Sequence, residues 1–140
     1  VQEFSLYADR PVVEVAATVD WRERQRALKL RFPINVHFHR ATAEAPYGSI
    51  ERFTNGEEEP GQSWVDLSGS SRASGELYGV GIVNDGKQSY DVRVRDIGLT
   101  VLRSPIYAHH DPVVPQPDGV YRYIDQGFQR FRYAIFPHAG

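Results

Sequence analysis

Alternation of apolar and polar residues dominates the chain, and it predicts β-strands rather than helices. In residues 27–32 every second side chain is apolar, which is typical of a strand with one buried face. Residues 34–39 alternate in the same way, and the pattern predicts that Ile34, Val36 and Phe38 point inward. Apolar residues spaced three and four apart, as in an amphipathic helix, are nearly absent from the chain.

Five further segments are rich in apolar or β-branched residues and are predicted as strands: 12–19, 77–83, 89–94, 97–102 and 131–135. The segments 77–83 and 89–94 flank the turn sequence Asn84-Asp85-Gly86-Lys87 and are predicted to form a β-hairpin across it, with Asp85 as the turn-capping carboxylate. The pattern of roughly eight to ten short strands separated by turns predicts an all-β, mainly antiparallel sandwich. Residues 1–140 are predicted to form a single β-sandwich domain.

Three segments lack this alternation and are predicted as connections. Residues 20–26 are polar, and residues 54–62 contain three consecutive glutamates followed by Pro60-Gly61, a composition typical of solvated surface. Residues 104–119 contain four prolines, too many for a strand within a sheet. A connection of that length in a compact domain is usually functional or packs on a neighbour.

Composition excludes several classes of protein. The chain has 140 residues with 41% hydrophobic side chains, enough for a domain of roughly 100–150 residues with its own core. It has no cysteine, and its net charge of −2 argues against electrostatic binding of nucleic acid. No apolar run approaches the roughly 20 residues of a membrane helix. Because methionine is absent and Val1 begins within a strand-like pattern, the chain is expected to be part of a longer polypeptide.

Several side chains could carry chemistry. His37 and His39 share one face of a predicted strand, and His109-His110-Asp111 offers further metal ligands, but nothing in the sequence brings the two groups together. No serine lies in the Gly-x-Ser-x-Gly turn of a hydrolase nucleophile. Exposed histidines are the simpler interpretation.

Acidic and aromatic side chains leave a choice between catalysis, sugar binding and packing. A pair of carboxylates could serve a glycosidase, and the candidates near strand ends are Glu51, Asp66, Asp85 and Asp91. Aromatic rings could stack on a sugar or fill the core, and the candidates are Tyr121, Tyr123, Phe131, Tyr133 and Phe136. The sequence does not pair the carboxylates, and the core is the simpler place for the rings.

Arginine carries nearly all of the positive charge, since Lys29 and Lys87 are the only lysines. Arg52 and Arg103 each lie at the end of a predicted strand, immediately before a connection. A guanidinium there can form a structural ion pair, or it can present a planar fork of donors to a ligand or a neighbouring domain.

Six blocks of sequence resemble, in the same order, glycoside hydrolase family 38, the α-mannosidases. They are residues 20–23, 47–52, 64–68, 78–92, 99–105 and 131–138. The resemblance covers nearly the whole chain and is strongest to the bacterial and cytosolic branch. It implies part of the C-terminal β region, of the galactose-mutarotase-like supersandwich type. Phe53 and Asn55 depart from the family, which usually has proline and histidine there.

The resemblance implies a retaining α-mannosidase as the parent protein, with its aspartate nucleophile and a divalent metal, usually zinc, in a separate catalytic domain. The fragment itself is expected to be inactive and to hold no metal. The family places an arginine from this region in the substrate pocket, and Arg103 matches it best, with Arg52 as the second choice. The expected partners are an α-mannoside and the parent's catalytic and helical domains.

Further expectations concern association, location and an alternative function. A sandwich without its natural neighbours exposes strand edges and apolar surface, so self-association is expected. The resemblance implies a cytoplasmic, bacterial protein. The net charge and the lack of a long apolar run predict that it binds neither nucleic acid nor membrane. The alternative function is a free-standing carbohydrate-binding module, which an exposed row of coplanar aromatic rings would favour.

Overall fold

The chain folds into two antiparallel β-sheets that enclose one hydrophobic core. The computed structural model describes residues 1–107 and 114–140, and within them it contains eleven strands and no helix. No helix in these residues could therefore span a membrane. The strands, in chain order, are β1 (Gln2–Tyr7), β2 (Arg10–Trp21), β3 (Ala27–Pro33), β4 (His37–Ala45), β5 (Gly48–Arg52), β6 (Asn55–Pro60), β7 (Trp64–Ser70), β8 (Leu77–Asn84), β9 (Ser89–Arg93), β10 (Asp96–Arg103) and β11 (Gly127–Ala139).

One sheet has seven strands in the order β1-β2-β11-β8-β7-β4-β5, and the other has four in the order β3-β10-β9-β6. Every pairing between these strands is antiparallel. This arrangement confirms the prediction of an all-β antiparallel sandwich. Because the two sheets differ in width, the larger one extends beyond the smaller.

The core lies between the inner faces of the two sheets, and the alternation in the sequence selects its members. Leu67 and Ile82 of the seven-stranded sheet and Ile97 and Leu99 of the four-stranded sheet are at most 1% exposed. Phe32 of β3 packs edge-on against Tyr133 of β11, with ring centroids 5.6 Å apart. Burial of these apolar side chains supplies the main driving force for folding.

Phe38 differs from the prediction, because its side chain is 97% exposed although Ile34 and Val36 are buried as expected. The pairing of β4 with β7 shifts between His37 and Arg40, and Phe38 has a φ of 48°. Such a bulge breaks the alternation of inward and outward side chains, so Phe38 points into solvent.

Two predicted connections are also wrong in part. Asp20 and Trp21 belong to the end of β2, and Trp21 is buried. Residues 55–60 form the edge strand β6 instead of a loop, and its backbone pairs with β9. Two of the three glutamates of β6 have partners on other strands. Glu58 contacts a lysine and two hydroxyl groups, and Glu59 pairs with Arg52.

Asn84 caps the turn between β8 and β9, a role that the sequence suggested for Asp85. The side-chain Oδ1 of Asn84 accepts a hydrogen bond from the backbone N–H of Lys87 at 2.5 Å. Asp85 instead accepts a bond from the backbone N–H of Arg132 at 2.8 Å and so links the turn to β11. The turn itself is confirmed, but the predicted β-hairpin is wrong, because β8 belongs to the seven-stranded sheet and β9 to the four-stranded sheet. The turn therefore carries the chain from one sheet to the other, and apolar alternation on both sides of a turn does not specify that the two strands pair.

Candidate functional site

Arg103 lies at the end of β10 with an exposed side chain, and its backbone is held on both sides. Its own N–H donates to the carboxylate of Asp125 at 2.9 Å. The next residue, Ser104, is fully buried and ties β10 to the start of β3, since its N–H donates to the Arg26 carbonyl oxygen at 2.9 Å. The structure shows no ion pair or hydrogen bond for the Arg103 guanidinium within the residues it describes. The backbone at Arg103 is therefore fixed, whereas the N–H donors of its guanidinium have no partner among the described residues.

The Arg103 cleft, as we call the cavity beside this residue, has a volume of about 470 Å³. That volume is within the range of roughly 300–1,000 Å³ that is common for small-molecule sites. Its wall is formed by residues from the ends of β6, β9 and β10, from the turn before β9 and from the connection before β11: Glu58, Glu59, Pro60, Gly86, Lys87, Gln88, Ser89, Thr100, Val101, Leu102, Arg103 and Asp125. Most of these side chains are charged or polar, which suits a hydroxylated ligand better than an apolar one.

Glu58 is the most constrained carboxylate of the Arg103 cleft. It forms an ion pair with Lys29 and accepts hydrogen bonds from the hydroxyl groups of Ser89 and Thr100. Burial alone would raise the pKa of Glu58, but the donors from Lys29, Ser89 and Thr100 outweigh it and lower the pKa below its ordinary value. Glu58 is therefore ionised at neutral pH, and it is poorly suited to serve as a general acid there.

An ion-pair network centred on the buried carboxylate of Asp91 continues from Glu58 across the outer face of the four-stranded sheet. The carboxylate of Asp91 is only 4% exposed and pairs with Lys29 and with Arg31, the latter at 2.6 Å. Gly98 lies opposite both Arg31 and Asp91 in the ladders, and a Cβ on Gly98 would collide with both side chains. The ion pairs thus link β3 to β6 and β9 across β10, and β6, β9 and β10 contribute to the wall of the Arg103 cleft.

Arg52 lies at the end of β5, between the two sheets. Its Nη1 is 3.3 Å from a carboxylate oxygen of Glu59 on β6, so the ion pair links one sheet to the other. The buried Nε of Arg52 and the buried hydroxyl of Tyr90 each lack a hydrogen-bond partner within the described residues. Burial raises the pKa of Tyr90 despite the opposing influence of the Arg52 guanidinium. Arg52 is thus partly committed to a structural contact.

Arg52 also lines a second cavity, of about 410 Å³, next to the Arg103 cleft. Pro60 and Gln88 contribute to the walls of both cavities. Gly61 also lines the second cavity and lies close to Tyr90, since a Cβ on Gly61 would be 2.5 Å from the Tyr90 ring. The structure therefore places the two arginines predicted from sequence on neighbouring cavities at one end of the sandwich.

The four candidate carboxylates do not form a catalytic pair. Asp91 is engaged in ion pairs, Asp85 accepts from the Arg132 backbone, and Glu51 is exposed on the edge strand β5. Asp66 is 2.6 Å from Nε2 of His138. Each carboxylate thus has its own surroundings, and no pair of them flanks a cavity in the part of the chain that the structure describes.

The contact of Asp66 with His138 was not predicted, because 72 residues separate the two positions. Ser68 also donates its hydroxyl to Asp66, so the carboxylate lies between the serine and the histidine. In a hydrolase triad the histidine lies between the other two and removes the serine proton. Here the aspartate lies in the middle, so His138 cannot remove the proton of Ser68. The His138 ring packs over Gly79, where a Cβ would collide with it.

The candidate metal ligands are separated or lie outside the described residues. His37 Nε2 is 3.4 Å from Arg95, and His39 Nε2 is 3.1 Å from the Thr54 hydroxyl oxygen. Residues 1–107 and 114–140 contain no group of three or more histidine, cysteine or carboxylate side chains that could hold a metal ion. His109, His110 and Asp111 lie outside the described residues. The zinc implied by the family resemblance has no fitting donor set in the described residues.

The candidate aromatic residues divide between the core and the surface. Phe131 and Tyr133 are buried, whereas Phe136 is 41% exposed on the outer face of the seven-stranded sheet. The Phe136 ring lies 6.0 Å from that of His138 with an angle of 20° between their planes. Two nearly parallel rings form a short platform, which is less than the row expected of a carbohydrate-binding module.

Comparison with known proteins gives a consistent result. The model of the glycosyl hydrolases family 38 C-terminal domain matches residues 1–119. Alpha-mannosidase 2C1 of Homo sapiens is 30% identical over 147 aligned residues, which cover 99% of this chain and 12% of that protein. Alpha-mannosidase G of Dictyostelium discoideum is 31% identical over 136 residues, covering 91% of this chain and 11% of its own length. This chain therefore spans about one eighth of these relatives.

A solved structure supports the fold. The crystal structure of a glycosyl hydrolase family 38 protein from Enterococcus faecalis superposes with a TM-score of 0.79 over 99% of this chain and 16% of that chain, at 18% identity. An alpha-mannosidase from Enterococcus faecalis V583 superposes with a TM-score of 0.77 and 17% identity. At these identities the superpositions establish the shared fold.

Proposed function

The chain belongs to the family of glycosyl hydrolases family 38 C-terminal domains. We propose that it is the non-catalytic β domain of a longer α-mannosidase, in which it lines one side of the mannoside cleft. The relatives named as α-mannosidases are about eight times longer than the matched segment, so this chain would supply one wall of a larger enzyme. The catalytic nucleophile and the divalent metal would lie in another domain.

The unpartnered guanidinium of Arg103 at the Arg103 cleft is the observation that carries this proposal. Arginine presents several N–H donors in one plane, and two of them can bind adjacent hydroxyl oxygens of a sugar. The backbone bond from Arg103 to Asp125 fixes the point from which the side chain extends. Arg103 would therefore orient the mannoside by hydrogen bonds, without taking part in bond cleavage.

Arg52 would have a weaker role in the same wall. Its ion pair with Glu59 uses one side of the guanidinium, but its buried Nε has no partner in the described residues and lies beside the neighbouring cavity. Replacement of Arg52 would disturb the contact between the sheets as well as any bond to substrate. Arg103 is for this reason the cleaner position for a test.

The test is kinetic and uses the full-length α-mannosidase that carries this domain. Arg103→Ala should raise KM or lower kcat so that kcat/KM falls about tenfold or more, since hydrogen bonds to a charged donor are worth roughly 1.5–3 kcal/mol. Arg103→Lys should recover only part of this loss, because lysine lacks the planar fork. The melting temperature of both variants should match that of the unmodified enzyme.

Arg72→Ala is the matched control, because Arg72 is exposed in the turn between β7 and β8. Its guanidinium forms no ion pair or hydrogen bond within the described residues. It should leave kcat/KM unchanged. Equal kinetics for Arg103→Ala and Arg72→Ala would remove Arg103 from the substrate cleft.

A carbohydrate-binding module remains the second candidate, favoured by the exposed ring of Phe136 beside His138. Aromatic rings bind sugars by stacking on the apolar face of the pyranose. Chemical-shift changes of residues near Phe136 on titration of the isolated 140-residue chain with mannose or oligomannosides would support it. A chain that shows no such changes, but whose Arg103 affects kinetics in the full-length enzyme, would support the first proposal alone.

A further inference from the structure

Strand β1 is an unprotected edge of the seven-stranded sheet. It pairs only with β2 within the described residues, and all six of its residues are exposed. Phe4 and Leu6 are 62% and 76% exposed on the inner side of the sheet, beyond the reach of the four-stranded sheet. Up to the register shift between Leu6 and Tyr7, this edge offers an open row of backbone donors and acceptors to another strand.

The other three edge strands in the described part of the chain carry residues that discourage such pairing. β3 contains Lys29, Arg31 and Pro33, and β6 contains three glutamates and Pro60. β5 contains Glu51 and Arg52 and lies next to the glutamates of β6, to which Arg52 is paired. Charged side chains and prolines are the usual protection of sheet edges. β1 has a single charged residue, Glu3, and no proline.

The pairing of β1 with β2 shows which backbone groups are free. In an antiparallel ladder alternate residues direct their N–H and C=O groups to the same neighbour. The carbonyl oxygen of Val1 accepts from the N–H of Thr18, and Tyr7 pairs with Arg10 across the turn. The odd-numbered residues of β1 therefore bond to β2. The N–H and C=O groups of Phe4 and Leu6 point to the open edge.

We propose that β1 pairs with β1 of a second copy of this chain, antiparallel and centred on Ser5, to form a two-fold symmetric dimer with a continuous sheet. In this register Phe4 lies opposite Leu6 of the second copy, and each such pair exchanges two backbone hydrogen bonds. Both apolar side chains of the edge thereby gain an apolar neighbour. The interface is isologous, as a two-fold dimer requires.

Charge selects this register among the alternatives. It places Glu3 of one copy opposite Tyr7 of the other, and Arg10 lies over the Tyr7 ring, 4.0 Å from its centroid. Arg10 also pairs with Glu14 of its own chain at 3.5 Å, so Glu3 approaches an ion pair and meets no isolated like charge. A register centred on Leu6 would place Glu3 opposite Asp9, which like charges disfavour. A register centred on Phe4 would place Leu6 opposite the polar side chain of Gln2.

Disulfide cross-linking tests the register directly, because the chain has no cysteine of its own. Centring on Ser5 places the two Ser5 residues in a non-hydrogen-bonded pair, with Cα atoms about 4.5 Å apart, which a disulfide can span. Ser5→Cys should therefore form a covalent dimer of twice 15.9 kDa under mild oxidation at low protein concentration. Glu3→Cys should not, since its two copies would lie about 13 Å apart along the strands.

Sedimentation equilibrium of the 140-residue chain tests the association without cysteine. The unmodified chain should dimerise, and Leu6→Lys should raise the dimer dissociation constant roughly tenfold or more by placing a charge against Phe4 in both symmetric pairs. Leu6→Pro should do the same, because it removes only a backbone donor that faces the open edge. Leu77→Lys is the matched control, since Leu77 is 67% exposed and lies away from β1 in the sheet.

Two results would overturn the proposal. One is a chain that stays monomeric at about millimolar concentration, a level typical of weak association, with no cross-link from Ser5→Cys. In that case the open edge of β1 would be available to pair with a strand from another segment of a longer polypeptide. The other is equal cross-linking of Ser5→Cys and Glu3→Cys, which would show random collision in place of the stated register.

Discussion

Replacement of Asp91 by asparagine tests whether the buried ion pairs stabilise the four-stranded sheet. Asp91 lies on β9, and its carboxylate bonds to Lys29 and Arg31 on β3, across the intervening strand β10. Asp91→Asn keeps the size of the side chain but removes its charge. Two cations then lose the partner that compensates for their removal from water.

The expected loss follows from the exposure of the partners. Removing one member of a fully buried ion pair costs roughly 3–5 kcal/mol. Here the side chains of Lys29 and Arg31 are 29% and 39% exposed, and each retains a second carboxylate, Glu58 for Lys29 and Asp96 for Arg31. Solvent and these second partners reduce the expected loss to about 2–3 kcal/mol. This is a large share of the roughly 5–15 kcal/mol that stabilises a typical domain.

Urea unfolding monitored by tryptophan fluorescence, together with calorimetry, would measure this loss. A decrease of about 2–3 kcal/mol should lower the melting temperature by roughly 6–12 °C for a domain of this size. Because the Asp91 carboxylate is only 4% exposed, 1 M NaCl should reduce the difference less than it would for an ion pair between two exposed side chains. Glu51→Gln is the control, since Glu51 is exposed and should change the free energy of unfolding by less than about 0.5 kcal/mol.

The reasoning is refuted if Asp91→Asn and Glu51→Gln have the same free energy of unfolding. It is also refuted if high salt removes most of the difference between Asp91→Asn and the unmodified chain. The first result would mean that desolvation of the carboxylate cancels its ion pairs. The second would mean that the Asp91 carboxylate is far more accessible to solvent than its 4% exposure indicates.

Two further predictions concern the backbone of β4 and the acidic edge of β6. Phe38→Gly should raise the stability by about 0.5–1 kcal/mol, because Phe38 has a φ of 48° and is exposed, and an unchanged or lower melting temperature would contradict this. Glu58→Gln should lower the melting temperature at pH 7, and the difference should decrease as pH falls below 4.5, because the lowered pKa of Glu58 gives a stabilisation that is present above its ordinary value of 4.5 and is lost as pH falls through the lower value in the folded state. A pH-independent difference would contradict the second prediction.

Some charged side chains of this domain hold strands together, whereas Arg103 is available to bind a ligand. The inter-sheet ion pair of Arg52 and the network around Asp91 hold strands together, so their loss should reduce stability before it reduces activity. Arg103 has the opposite character, since its side chain holds nothing together in the described residues while its backbone is fixed. This difference is the reason that kinetics and melting temperature must be measured on the same variants.

The sequence alone determined the fold class and the family resemblance. Alternation with a period of two is a local property, since each side chain of a strand points to the face opposite its neighbours. It therefore predicted most strands and the buried positions Ile34 and Val36. The ordered blocks that resemble family 38 needed no tertiary contact either, and the family model that matches residues 1–119 agrees with them.

Tertiary structure decided what depends on contacts between distant residues. The bulge in β4 arises from its pairing with β7 and turns Phe38 outward. Asp66 and His138 meet only because β7 and β11 flank β8. The order of the strands likewise determines that β1 is an edge and that Arg52 reaches Glu59. Side-chain alternation specifies which face of a strand is buried, but it carries no information about which strands become neighbours, and the candidate site depends on those neighbours.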